Sequence, residues 1–362
     1  MTNPLDDTQP LTRFRTDLVR SFTLVAAIAP LLALAHQPTP RVTLGTPLAE
    51  FPAPFSDVAS VLDLPDGRVI FVDRDERLVR IADFDKGIAT TLGREGDGPG
   101  EYRYPTRLVP LTADTILVRG RGRYTVLGPG ATLTTAVVNA PALIQTLPGG
   151  SDRQGRMYFQ GPTHDFRTGQ ARDSVPIYRV DRVTLRPDTI AWIQVRDQDG
   201  ERTKEGPATS LTITSRSFDP IDVWGVAADG TVYIARFRDY HIDIIGPDKS
   251  RVSGPPIPYE KLEFTAEERS RLKDLPRARS PFVKSSDPTP RVSPDGMFWV
   301  ARSSAADTDP VRFDVIDRSA RRVREIVLPP GSRLVGLGAK YIYTAREDAD
   351  GFHHLQRHAY PK

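Results

Sequence analysis

Cysteine is absent from all 362 residues. That excludes disulfides, a thiolate nucleophile, a cysteine-ligated metal and lipid attachment through a cysteine. Asparagine occurs only as Asn3 and Asn139, and histidine (6), methionine (3) and tryptophan (3) are sparse. Neither sign of charge dominates: the formal net charge is +3 and the arginines are scattered, so no nucleic-acid partner is expected. Long apolar runs are missing as well. The run Ser21–Ala35 contains Pro30 and falls short of the roughly 20 residues that cross a bilayer. What the chain has in quantity is proline (33) and glycine (27), which suits many short strands and turns better than helices.

The N-terminus reads as a separate object. Arg13, Arg15 and Arg20 precede the apolar run, which ends in the small-x-small pattern Ala33-Leu34-Ala35. This is the layout of a secretory signal, with cleavage expected after Ala35. The mature chain, 36–362, is then expected in the periplasm or outside the cell, with no stable membrane span and as a monomer. Folding without cysteine needs no oxidative machinery there.

One phrase recurs along the mature region: an apolar strand, a polar turn with Asp or Gly, and a strand of β-branched and aromatic residues. It begins at Val61, Leu108, Thr146, Trp224, Pro290 and Leu334. Copies such as LPDGRVIFVD, VAADGTVYIAR and VSPDGMFWVAR share an Asp-Gly turn, where glycine accepts positive φ without steric cost. Further strand-like stretches follow each copy, as at Leu78–Ala82 and Ile88–Leu92, or His241–Ile245 and Arg251–Ser253. Six repeats of four strands predict an all-β fold, a six-bladed β-propeller. The last copy has room for three strands before Lys362, so Arg41–Leu48 is expected to close its blade and remove two sheet edges. Two longer gaps require insertions. Asp197–Ser217 reads as a polar loop. Tyr259–Pro281 reads as partly helical: Thr265 and Glu268 form a capping box and the helix should end before Pro276.

The segment Gly93…Gly98-Pro99-Gly100-Glu101-Tyr102…Pro105, followed directly by a strand, resembles the inter-blade loop of exported six-bladed propellers related to NHL-repeat proteins. DYHIDIIGPD, Asp239–Asp248, is similar in style. The resemblance spans nearly the whole mature chain in architecture. It implies binding or scaffolding outside the cytoplasm more than any particular activity. Read from its own residues, the loop is no phosphate cradle, because a strand follows instead of a helix N-terminus and no lysine is present. Nor does it have the spacing of a calcium loop. Its glycines permit a compact turn in which Glu101 accepts backbone amides.

Position gives the loop a second reading. In a propeller the inter-blade connections share a face with the turns joining second and third strands. The ends of the second strands align as Asp73, Gly120, Gly161, Arg236, Arg302 and Arg346. Arg94, Asp97, Glu101, Tyr102, Arg236, Arg302 and Arg346 are therefore expected on one face, where an acidic small molecule, an extracellular polymer or a protein partner could bind. The competing expectation pairs each arginine with a local acid such as Asp239, Asp307 or Glu347. A rival function is a metal-dependent lactonase-like hydrolase. Related six-bladed enzymes hold a divalent ion with Glu, Asn and Asp oxygens, and Glu50, Asn139 and Asp222 could supply these to calcium. A third possibility is a structural interaction module. No Gly-x-Ser-x-Gly elbow occurs. His353 and His354 alternate across a strand, which spoils a shared zinc site. Trp192, Trp224 and Trp299 are expected to pack between blades.

Overall fold

The turns that make the repeat visible also build it. In the computed structural model, the amide of Leu64 bonds the carbonyl of Arg68 (2.8 Å) and that of Gly67 returns to Leu64 (3.0 Å). The same pair of bonds recurs at Ala227/Thr231 and Gly230, and at Ser293/Met297 and Gly296. The aspartate before each glycine accepts the amide two residues on: Asp66 from Arg68 (3.1 Å), Asp229 from Thr231 (3.0 Å) and Asp295 from Met297 (3.3 Å). Gly67, Gly230 and Gly296 sit at φ 86–90°, where a Cβ would be strained.

The structure describes residues 39–361 except 99, 113–114, 121–123, 129–132, 137–147, 166–167, 182–183, 196–197, 206–207, 216–220, 272–274, 277, 283–289 and 306–308. The expected leader and its cleavage site lie outside them. The described strands run in chain order from β1 (Arg41–Thr43) and β2 (Ala49–Glu50) to β27 (His353–Ala359). Blade one is β3 (Val58–Asp63), β4 (Val69–Asp73), β5 (Leu78–Asp83) and β6 (Ile88–Leu92). Blade two is β7 (Arg107–Thr112), β8 (Thr115–Arg119), β9 (Tyr124–Leu127) and β10 (Leu133–Ala136). Blade three is β11 (Pro148–Ser151), β12 (Met157–Gln160), β13 (Ser174–Val180) and β14 (Pro187–Gln194). Blade four is β17 (Val223–Val226), β18 (Val232–Arg236), β19 (His241–Ile245) and β20 (Arg251–Ser253). Blade five is β21 (Arg291–Val292), β22 (Phe298–Ala301), β23 (Arg312–Ile316) and β24 (Arg322–Val327). Blade six is β25 (Ser332–Leu337), β26 (Tyr341–Glu347), β27 and β2. Every neighbouring pair within these four-stranded units is antiparallel. The chain is a six-bladed β-propeller.

Second and third strands are buried on both faces because blades pack face to face. The buried apolar residues fall into six clusters, one at each seam. Val109, Leu117, Met157 and Phe159 join blades two and three, and Tyr233, Tyr240, Phe298 and Ile316 join four and five. Phe71, Val58, Tyr343 and Leu355 join one and six, which completes the ring. Trp299 and Trp224 pack at seams as expected. Trp192 does not: it lies on the outermost strand β14 and is 56% exposed, because an outer strand has solvent beyond it.

Ring closure uses the N-terminal segment, a few residues later than expected. The amides of Leu48 and Phe51 bond Arg357 and Leu355 of β27 (2.8 Å each) around the Ala49–Glu50 pairing. Arg41–Thr43 instead runs parallel to β24, as a fifth strand on blade five. The polar insertion is not a loop: β15 (Gln198–Glu205) and β16 (Ala208–Ser215) pair antiparallel from Gln198 opposite Ser215 to Glu205 opposite Ala208. Its second strand, ATSLTITS, is rich in the β-branched residues that favour pairing. The other insertion does carry a helix, α1 (Ala266–Arg271). Its capping box forms as expected, with the Thr265 amide on Glu268 (2.8 Å) and the Glu268 amide on Thr265 Oγ1 (3.2 Å).

Candidate functional site

The Gly93–Pro105 loop closes upon itself. Glu101 accepts the Gly98 amide (2.6 Å) and the Arg94 guanidinium (2.5 Å). These two contacts hold its carboxyl below the usual range, the backbone bond contributing most. A side chain at Gly96 would fall on the Glu101 carboxylate, and one at Gly120 on the Arg103 carbonyl. Tyr102 is 1% exposed. Its hydroxyl accepts the Val79 amide (3.0 Å) and donates to the Leu92 carbonyl (2.9 Å), pinning the loop to blade one. Asp97 pairs with Arg103, and Thr125 Oγ1 donates to the Glu101 carbonyl (2.8 Å). The loop thus fastens blade one to blade two, and its exposed charges pair with one another within the loop.

The arginines expected to converge are each engaged by acids. Arg236 reaches Asp222 (2.7 Å) and Asp243 (2.6 Å), and both carboxylates are buried. Burial lowers its pKa, but the two carboxylates outweigh that and raise it. Arg302 donates to Asp314 (3.1 Å) and to the Pro281 carbonyl (3.1 Å), and its guanidinium lies 5.4 and 5.6 Å from the ring centres of Tyr240 and Tyr259. Arg346 lies 3.6 Å from Glu50. Local pairing is therefore the arrangement found, but not with the expected acids. Asp239 pairs with His241, Glu347 faces His353 at 3.9 Å, and Asp307 lies outside the described residues.

The two rival sites turn out to be halves of the same ion pairs. Asp222 accepts Arg236 and the amides of Gln194 (3.0 Å) and Phe237 (3.2 Å). Glu50, on the outermost strand of blade six, accepts Gln356 (2.7 Å) and lies 3.2 Å from His354. Glu50 belongs to blade six and Asp222 opens blade four, and Asn139 lies outside the described residues. Among the described residues no group of three His, Cys, Asp or Glu side chains is arranged to hold a metal ion. Two of the clustered histidines are seam fittings. His353 Nδ1 accepts the Val58 amide (3.0 Å) across blades one and six, and buried His358 bridges Thr344 (2.9 Å) and Gly45 (2.9 Å). Burial lowers the pKa of His358.

The inner strands of the blades enclose a cavity, the central channel. It encloses about 970 Å³ and is walled by the innermost strand of every blade and by turns within blades. It lies toward the face of the Asp-Gly hairpins, away from the inter-blade loops, and none of the expected ligand-binding residues lines it. Val61, Leu62, Val109, Val226, Val292 and Leu337 make its walls apolar. The charged residues that line it are four arginines, Arg68, Arg107, Arg153 and Arg291, and two aspartates, Asp63 and Asp66. Both aspartates are engaged: Asp63 accepts the Ala339 amide (2.7 Å) and the Tyr343 hydroxyl (2.7 Å), and Asp66 pairs with Arg68 (2.6 Å). At the channel wall Ser60 holds φ 51° beside a break in the β3 register, with its Oγ accepting the Leu108 amide (2.8 Å). Left-handed backbone in a non-glycine residue is uncommon and collects at binding sites.

The sequence held a signal for this site that strand-end alignment passed over. Arg68 and Arg153 sit in or beside hairpin turns of the repeat, at the other end of the inner strands.

No model of a known protein family matches the chain, and no curated protein matches it. Solved structures are similar in fold. A calcium-binding protein, regucalcin, from Agrobacterium tumefaciens is 11% identical, over 90% of this chain and 98% of that one, at a TM-score of 0.46. A gluconolactonase from Xanthomonas campestris is 11% identical over 88% and 95%, at 0.44. A streptogramin B lyase is 12% identical over 86% and 87%, at 0.42.

Proposed function

We propose that this protein binds a small amphipathic anion in its central channel, as an exported, monomeric binding protein. One observation carries the reading: an apolar cavity of about 970 Å³ whose charged lining is four arginines and two aspartates, an excess of positive charge, with the exposed Arg153 among them. The volume is that of a small-molecule site, and apolar walls with a few placed polar groups are its usual chemistry. A carboxylate or phosphate head suits the guanidinium fork, and an apolar body suits the walls. Thermal melting with medium-chain carboxylates, lactones, calcium and chelator tests it. A carboxylate at about 100 times its dissociation constant adds roughly 2.7 kcal/mol. That gain should be independent of calcium and lost in Arg153→Glu, whose side chain is exposed at the channel. Stabilisation that needs calcium, together with lactone turnover, would replace this reading with a metal-dependent hydrolase. No response to any probe would point to a structural module with a protein partner.

A further inference from the structure

The connection between blades four and five carries α1, and its described residues between Tyr259 and Pro281 form an arm whose ends pack on the blade-four and blade-five core. No residue of α1 is buried, so the helix adds nothing to the core. The arm is braced internally. Glu263 bridges Ala278, the Arg279 amide bonds the Leu262 carbonyl (2.8 Å), and the Arg279 guanidinium lies 4.6 Å from the ring centre of buried Phe264. What the arm does is stand opposite the blade-four turn that carries Phe237 and Arg238. Between them is a cleft of about 540 Å³, on the face away from the channel cavity.

The chemistry of this cleft is lopsided. Arg238, Lys261 and Arg279 line it against one carboxylate, Glu263. Arg279 also pairs with Glu268, and Arg238 donates to Gln194 (2.9 Å). Lys261 is exposed. Two polar atoms of the lining residues, Arg279 Nε and Ser280 Oγ, are buried with no hydrogen-bond partner, and native structures leave few such groups unmatched. Phe237 and Tyr259 supply rings. Tyr259 is held in place by Tyr240, edge-on at 5.8 Å, and by Arg302 at 5.6 Å. The lining thus offers aromatic surface and three cations against one carboxylate.

We infer that this cleft is a second ligand site, separate from the channel, for a small oxyanion bearing an aromatic ring. The oxyanion meets Arg238, Lys261 and Arg279, and the ring lies against Phe237 and Tyr259. Guanidinium and ammonium groups accept carboxylate and phosphate alike, so the shared chemistry is an aryl oxyanion, and titration calorimetry at low salt tells the two apart. The probes are phenyl phosphate, benzoate and inorganic phosphate. At least one aromatic probe should bind more tightly than inorganic phosphate, and the tighter of the two names the head group. Lys261→Glu should weaken it at least tenfold, about 1.4 kcal/mol, while the channel variant Arg153→Glu leaves it unchanged. Lys261 is a surface residue, and an unaltered melting temperature will show that its variant is folded. The inference is overturned by no saturable heat with either aromatic probe, by equal binding of inorganic phosphate, or by undiminished binding in folded Lys261→Glu. Loss of binding in Arg153→Glu alone would overturn it too, by placing the aryl anion in the channel.

Discussion

Asp222 separates a structural carboxylate from a metal ligand, and replacing it with alanine should cost the fold heavily. Its side chain is 3% exposed and accepts three donors: Arg236 at 2.7 Å and the amides of Gln194 and Phe237 at 3.0 and 3.2 Å. Asp222→Ala leaves both amides without this acceptor, at about 1–3 kcal/mol each if no water replaces it. Arg236 keeps Asp243 at 2.6 Å, so its charge is not stranded and the full penalty of an unpaired buried ion does not apply. The expected loss is about 2–6 kcal/mol, set by the two amides that lose their acceptor. Urea unfolding followed by far-UV circular dichroism should show a lower midpoint at unchanged slope. Asp239→Ala, at an exposed acid, should stay within about 0.5 kcal/mol. The loss should be equal with calcium and with chelator. A loss under about 1 kcal/mol, or one that appears only when calcium is present, would refute the argument and return Asp222 to the metal reading.

Tyr102→Phe should destabilise by about 1–3 kcal/mol, because the buried Val79 amide loses its acceptor, while channel binding measured by calorimetry stays the same. Burial pushes the Asp57 carboxyl up, but hydrogen bonds from its neighbours, Arg74 and Arg333 among them, outweigh that and hold it well below its ordinary value. A depressed carboxylate contributes stability above its unfolded pKa of about 3.9 and loses it as pH falls through the folded value. Urea midpoints should therefore drop from pH 7 to pH 3, and Asp57→Asn should lose stability at pH 7 and show a shallower drop. Expression with a secretion pathway should yield a chain that begins at His36, and intact mass retaining residues 1–35 would refute the cleavage site.

How far the molecule can be read from its residues depends on the range of the interactions. The Asp-Gly turns, the apolar second strands and the Thr265–Glu268 capping box each involve groups a few positions apart, so pattern alone places them. Counting strands led as far as a ring closed by the N-terminal segment. Which residues close it was not legible: Arg41–Thr43 and Ala49–Glu50 are both short and extended, and the choice falls to partners about 280 to 310 positions away on β24 and β27. The β15–β16 hairpin escaped for a related reason, since a polar strand without an alternating apolar face looks like a loop until its partner is known.

Composition and turn chemistry by themselves determined that the chain is a six-bladed all-β ring without cysteine chemistry. The six seams and the allocation of charge were decided by tertiary structure. Arg236 with Asp222 and Arg346 with Glu50 looked like two candidate sites because each sign was read alone. Folding brings opposite charges from different strands together, and a buried charge is tolerated only when it is paired. Arg68 and Arg153 came to a cavity instead, at the hairpin end of the channel, where the inner strands of all six blades meet around space that their side chains do not fill.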